Sequence, residues 1–373
     1  MDFNKKLEKI REAGHLRTLT DIHSIEGKFI TSTRGRYINF TSNDYLGLAQ
    51  EQEYLPVHPQ NHMDLASSRL VSGNSILYTT IERRMSEMFG FEAALVTNSG
   101  YDANLALFNI FKGESVVAFS DEDNHASIID GLRLSDISKE IYSHLDYDML
   151  EAKLQQHPNS TKLICTDTVF STTGDMVDVE RLRKLKQKYP QTLIMIDDSH
   201  GLGLGLIEDY RDIDMLTASL SKGIGAYGGV ILCNNTVKQL ILNLGRPVIY
   251  SSSMPNSQLT HILLNLDLVQ KADDNRAHVK YLSQYFNHLL EAHTGRKNDA
   301  LSPIKFIEYE SQIKAESTYE KLLEAGIWVS YFRYPTVQKP TLRLSLNYYH
   351  SAEDLEVIFK YLNLISEGGT ERV

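Results

Sequence analysis

Only two cysteines, Cys165 and Cys233, occur in the 373 residues, and they do not form a C-x-x-C pair. A disulfide framework and a cysteine zinc site are therefore not expected, and a reducing compartment fits. Excess positive charge is also missing. Thirty-eight Lys and Arg face 48 Asp and Glu, a net charge of −10. That argues against a general nucleic-acid binder, although a local basic pocket for an anionic substrate stays open. No apolar run approaches the ~20 residues needed to cross a bilayer. The opening residues, MDFNKKLEKIREAG, lack the apolar core of a secretory signal. A cytoplasmic protein without membrane or nucleic-acid partners is expected. There is no G-x-x-x-x-G-K-[ST] phosphate loop. Gly201, Gly203 and Gly205 have the wrong spacing for a dinucleotide fingerprint, and no helical pattern follows them. Internal repeats and low-complexity segments are absent as well.

What is present is a regular alternation beginning at Ala93. AALVT (93–97), SVVAF (115–119), KLICTD (162–167), LIMID (193–197), MLTASL (215–220) and GGVILC (228–233) read as strands. Residues 102–111, 125–134, 146–156 and 177–189 read as the helices between them. Such alternation predicts an α/β fold, a mostly parallel sheet with helices on both faces, and ligands at the carboxyl ends of the strands. Upstream, the first dozen residues have helical spacing, and residues 28–40 read as a hairpin turning at Arg34–Gly35. Thr79 with Glu82 predicts a capping box opening the helix that Gly90 closes. Beyond residue 256 the pattern changes to long helical periodicity, then to short strands and helices. The expected division is an N-terminal segment over 1–48, a large domain over 49–256 and a smaller α+β domain over 257–373.

The polar groups at the strand ends carry the chemistry. Between Met215 and Val237 the only charged side chain is Lys222, with glycines crowding its C-terminal side. An ammonium in apolar surroundings needs a partner or loses its proton, and a lysine with a depressed pKa attacks carbonyls. Ser99–Gly100–Tyr101 opens a helix after a strand, where free amides bind phosphate. His125 opens another helix and could offer an imidazole face to a planar ring. Asp167 and Ser171 follow one buried strand, and Asp197, Asp198 and His200 end the most apolar one. A carboxylate there needs a cation or hydrogen-bond donors. A metal is a competing partner, but no second histidine or cysteine lies at ligand spacing. Taken singly, each of these fits an ordinary βα loop, a solvated turn or a helix cap. Together they suit an aldehyde cofactor with a phosphate tail and a pyridine nitrogen, which is pyridoxal 5′-phosphate (PLP).

At these residues the chain resembles the α-oxoamine synthases, a family of fold-type-I PLP enzymes. The resemblance is carried by SNDYLGL (42–48), SSRLVSGN (67–74), EAALVTNSGYDAN (92–104), DEDNHASI (121–128) and VFSTTGD (169–175). It continues through IDDSHGLG (196–203), SLSKGIG (219–225), IYSSSMP (249–255) and PTLRLSL (340–346). It implies that Lys222 holds the cofactor's aldehyde and acts as the base at Cα. Asp197 would pair with the pyridine nitrogen, and His200 with Ser171 would lie near the phenolic oxygen. His125 would stack on the ring. Ser99, Gly100 and Tyr101, helped by Ser219, would hold the phosphate. Ser252 and Ser253, in the run from Ser251, would reach the phosphate of a neighbouring subunit, which implies a homodimer with shared sites. Arg17, Asn43, Thr336 and Arg343 match substrate-contacting positions. In LRLSL, Arg343 shares a strand face with Ser345, opposite three leucines, so it can point into a cleft and take a carboxylate in bidentate fashion.

The implied activity is acyl transfer, the decarboxylative condensation of L-alanine with a pimeloyl thioester of coenzyme A or a carrier protein. Its product is 8-amino-7-oxononanoate, a biotin precursor. Rival readings are a glycine-using sister (the 2-amino-3-ketobutyrate or 5-aminolevulinate branch), an aminotransferase, and a non-catalytic binding module that keeps the fold. IYSSSMP favours the alanine branch. Three positions depart from the family pattern: Asp64–Leu65–Ala66 replaces a glycine-rich stretch, Tyr78 a histidine, and Ser219 a threonine.

Overall fold

The computed structural model describes residues 1–51, 65–334 and 336–362, so Asp64 of the first departure lies outside the described residues. Contacts divide the chain into two compact units. The larger holds residues 43–171 and 175–276, and the smaller holds 1–42, 172–174 and 277 onward.

The smaller unit begins with the helix Phe3–Glu12, capped by Asp2, whose side chain accepts from the Lys5 amide. Three antiparallel strands follow: β1 (Ile22–Glu26), β2 (Phe29–Ser32) and β3 (Gly35–Asn39).

The larger unit is built on seven strands: β4 (Ala93–Thr97), β5 (Val116–Asp121), β6 (Ser138–Tyr142), β7 (Thr161–Asp167), β8 (Thr192–Asp197), β9 (Met215–Ser219) and β10 (Gly229–Cys233). They lie in the order β4-β10-β9-β8-β7-β5-β6. β5 through β9 pair in parallel, while β10 runs antiparallel to both of its neighbours, β4 and β9. The sheet is thus mostly parallel, and β4 through β9 all end on one edge. Leu95, Ile231, Met215, Met195 and Leu163 join Ala103, Leu107 and Phe108 of the helix Gly100–Phe108 in one buried apolar cluster. Burial of these side chains contributes roughly 1.5–3 kcal/mol each for the larger ones. β6, absent from the predicted strands, sits at the sheet edge. Its residues SKEIY leave Ser138, Lys139 and Ile141 exposed, so no apolar run announces it.

The helix before β4 runs over Ile76–Phe89. Its cap is Ser75, whose hydroxyl accepts from the Leu77 amide, and Gly90 ends it at φ +72°. This corrects the predicted Thr79–Glu82 box. Thr79 lies inside the helix, and Glu82 is spent on other partners: the Val96 amide, Arg69 and Lys238.

The rest of the smaller unit supplies β11 (Ile304–Glu308), β12 (Ile327–Trp328), β13 (Ser330–Phe332) and β14 (Thr341–Ser345). β12 extends the N-terminal sheet by pairing in parallel with β3, and β11-β14-β13 form a second antiparallel sheet. The β3–β12 ladder explains why residues 1–42 join the C-terminal part instead of standing as a separate segment. The helix Asn256–Gln270 counts with the larger unit because its Asn265 amide donates to the carbonyls of Ile224 and Gly225. Among the described residues, no helix is long and apolar enough to cross a membrane.

Candidate active site

Parallel pairing puts Asp167 and Asp197, the last residues of β7 and β8, beside Thr217 in the middle of β9. Asp197 is buried, and its two oxygens take neutral donors. Oδ1 accepts from the Ser199 amide at 2.9 Å, and Oδ2 accepts from Asn104 Nδ2 at 2.6 Å. Among the described residues no cationic side chain forms an ion pair with it. Asn104 also donates to Ser127 Oγ at 2.7 Å and accepts from Thr217 Oγ1 at 2.6 Å. Ser127 Oγ lies 2.7 Å from His125 Nδ1, and the His125 amide donates to Asp167 Oδ2 at 2.9 Å. His125 also caps the helix Ala126–Ser135 through the Ser127 amide.

Although His125 is exposed by area, the protein packed around its ring lowers its pKa. Desolvation leads, Asp197 opposes it, and the charge of Lys222 adds to it. Burial, then the charge of Asp197, pushes the Asp167 carboxyl well above its ordinary range, against the opposing pull of the His125 amide and Lys222. Asp198 lies behind this edge. Burial raises its pKa to about 7, opposed by the nearby Thr168 hydroxyl and by the Tyr210 hydroxyl, which donates to Oδ2 at 2.8 Å.

Lys222 follows β9 in a loop whose shape is set by close approach. Gly225 has φ +67°, and a Cβ there would lie 2.6 Å from the Ala49 amide. The SNDYLGL turn thus packs directly on the lysine loop. From that turn Tyr45 reaches His200 Nδ1 at 2.6 Å, and His200 Nε2 lies 2.7 Å from Lys222 Nζ. Asn43 Oδ1 accepts from the Tyr45 hydroxyl at 3.2 Å. Lysine, imidazole, phenol and amide therefore form one hydrogen-bonded row.

Ser99 caps the helix Gly100–Phe108 by accepting from the Asp102 amide at 3.0 Å. The amides of Gly100 and Tyr101, at the first two helical positions, have no intrahelical acceptor. A Cβ on Gly100 would lie 3.0 Å from the Ser219 side chain, so the helix start abuts the end of β9. Ser219 Oγ lies 2.8 Å from Ser221 Oγ. Two amides and two hydroxyls gather here in an anion-binding arrangement.

The remaining predicted positions fall as follows. Ser171 is half-buried on the loop after β7. Ser252 is exposed, and its carbonyl accepts from Asn98 Nδ2 at 3.1 Å. Ser253 is buried, and its amide donates to the Ser67 carbonyl at 2.9 Å. The adjacent Met254 amide donates to the Tyr78 hydroxyl at 2.7 Å, a contact the departing tyrosine makes for itself. Arg69, from the SSRLVSGN stretch, stacks on Tyr78 and pairs with Glu82 of its own chain. In the smaller unit, Arg17 donates to Thr336 Oγ1 at 2.9 Å, and Arg343 is buried on the central strand β14. Sequence reasoning passed over Asn104, Ser127, Thr217 and Tyr45. The first two lie on helices, where a polar residue on the buried face is the only available signal.

Residues 36–362 match the model of the family described as aminotransferase class I and II. A relative from Thermodesulfovibrio yellowstonii, provisionally named 8-amino-7-oxononanoate synthase, is 35% identical over 98% of this chain and 97% of its own. Among solved structures, the 8-amino-7-oxononanoate synthase of Francisella tularensis is 25% identical with a TM-score of 0.73. That match covers 87% of this chain and 96% of the other. Serine palmitoyltransferase of Sphingomonas wittichii is 24% identical with a TM-score of 0.86, covering 97% of each chain, and shares the fold.

Proposed function

We propose a specific reaction from a plain premise: the chain belongs to the class I and II aminotransferase family and, within it, to the PLP-dependent α-oxoamine synthases, which are acyltransferases. The reaction is L-alanine plus a pimeloyl thioester giving 8-amino-7-oxononanoate, carbon dioxide and the free thiol carrier, a step of biotin synthesis. The names of the relatives support the pimeloyl reading.

The residues fit the cofactor. Among the described residues, the buried Asp197 carboxylate is held by neutral donors, which is the environment a protonated pyridine nitrogen would complete; this observation carries the reading. The Gly100 and Tyr101 amides with Ser219, next to the Ser99 cap, suit the phosphate. When bound, PLP supplies an aldehyde for the amine and a ring that accepts the electrons left at Cα. Lys222 Nζ is the attachment point and the group that moves the Cα proton, with His200 Nε2 in place to exchange a proton with it. His125 would set its imidazole face against the ring and would offer a hydrogen to the oxyanion formed at the thioester carbonyl. Ser171 and His200 are assigned to the phenolic oxygen. Ser252 and Ser253 are assigned to the phosphate of a second subunit in a homodimer. Asn43, Arg17, Thr336 and Arg343 are assigned to substrate.

The test is turnover of purified protein with alanine, glycine or serine against pimeloyl-CoA, pimeloyl-carrier protein or palmitoyl-CoA. Product from alanine and a pimeloyl thioester, with carbon dioxide release, is expected. Preference for glycine or serine, or transamination without carbon dioxide, would replace this reading with a sister activity.

A further inference from the structure

Every proton in the cluster between Asp197 and His125 is set by its neighbours. Thr217 Oγ1, fully buried, lies 2.6 Å from Asn104 Oδ1, and a carbonyl oxygen only accepts, so Thr217 donates. Asn104, also fully buried, then points its Nδ2 at two acceptors: Asp197 Oδ2 at 2.6 Å and Ser127 Oγ at 2.7 Å. Turning the amide over would face its oxygen against the Asp197 carboxylate, so the orientation is fixed by repulsion as well as by attraction. Ser127 Oγ receives one of these hydrogens, and its own hydrogen goes to His125 Nδ1 at 2.7 Å. The Ser127 amide donates to the same nitrogen at 3.3 Å. An imidazole whose Nδ1 accepts carries its hydrogen on Nε2. Desolvation lowers the His125 pKa, which keeps the ring neutral and makes the tautomer matter.

The geometry points to Asn104 as a positioning residue with two outputs. It aims the Asp197 carboxylate, and through Ser127 it selects the His125 tautomer that presents Nε2–H. The two are thereby set together by one amide group, although Asp197 ends a strand and His125 opens a helix. The use of that hydrogen at the thioester oxyanion rests on the reaction proposed above, whereas the wiring does not.

The experiment is nitrogen-15 NMR of histidine-labelled, cofactor-free protein at pH 8, with His125 assigned by substitution. The wild type is expected to show one His125 tautomer, hydrogen on Nε2 and Nδ1 bare. Ser127→Ala is expected to give a mixture of tautomers, and Ser127→Thr, which keeps the hydroxyl, to restore the single form. In turnover, Ser127→Ala should lower kcat about tenfold with KM for alanine changed less than twofold, and Ser127→Thr should recover it. Asn104→Ala should mix the tautomers and also weaken PLP retention in equilibrium dialysis about tenfold. Should that variant not fold, the Ser127 pair decides the tautomer alone. A wild-type ring protonated on Nδ1, or a Ser127→Ala protein that keeps the single Nε2–H form, would overturn the inference. A wild type that condenses no amino acid with any thioester would refute the reaction and leave the NMR result to judge the wiring.

Discussion

Lys222 and His200 meet nitrogen to nitrogen, with Nζ 2.7 Å from Nε2. An amine and an imidazole at that separation are joined by one hydrogen bond. The far side of the same imidazole is held by Tyr45 at 2.6 Å, and Tyr45 comes from a turn 155 residues before the histidine. The SNDYLGL turn and the lysine loop are thus chemically joined as well as packed together.

Lys222→Ala is expected to lower turnover by at least about 10⁴-fold and to remove the visible absorbance of the bound cofactor. Tyr45→Phe keeps the ring but removes the imidazole's partner, and a fall in kcat of about tenfold is expected. Steady-state rates and absorption spectra check both. An active Lys222→Ala protein would end the assignment of the nucleophile.

Asp198 makes stability depend on pH. Its folded pKa is raised to about 7 from 3.8, chiefly by burial. Between those values the folded chain binds more protons than the unfolded one, so stability falls as pH rises and the full loss is reached above pH 7. Asp198→Asn removes the titration and retains an acceptor for the Tyr210 hydroxyl. The gain in unfolding free energy should be about 2 kcal/mol larger at pH 8 than at pH 5. Equal gains at both pH values in denaturant titrations would show that the fold does not raise the Asp198 pKa.

His144 also makes stability fall as pH rises, in a higher pH window. Its desolvation is outweighed by hydrogen bonds to Asp121 and Asp175 and by the charges of Asp121 and Asp123, and its pKa rises from 6.5 to about 10. Nδ1 and Nε2 both face carboxylates, an arrangement only the imidazolium satisfies. Its contribution is complete below pH 6.5 and is lost as pH climbs through 10. His144→Gln should cost on the order of 2 kcal/mol at pH 6 and flatten the stability profile between pH 7 and pH 10. A profile with the wild-type slope would rule out this clamp.

The parallel strands were legible because burial on both faces leaves unbroken apolar runs, as in LIMID and KLICTD. Lys222, Asp197 and His200 were legible because a polar residue at the end of such a run has few structural excuses. β6 was not, since an edge strand reading SKEIY needs no apolar alternation. The helix start at Ser75 was misplaced because a second serine or threonine with an acid three residues later looks like a cap wherever it falls. Asn104 was hidden by its helix. Nothing local distinguishes an asparagine that bridges a carboxylate and a serine from one that faces water. The reversed direction of β10 was equally silent, because GGVILC pairs well either way.

That reversal fixes what β10 may begin with. Gly229 starts where its neighbours β4 and β9 finish, between Thr97 and Ser219. A methyl group there would sit 2.2 Å from the Ser99 carbonyl oxygen and 2.6 Å from the Gly100 nitrogen. A single carbon atom at position 229 would therefore push the start of the helix Gly100–Phe108 out of place, although residue 229 itself has no side chain with which to touch any ligand.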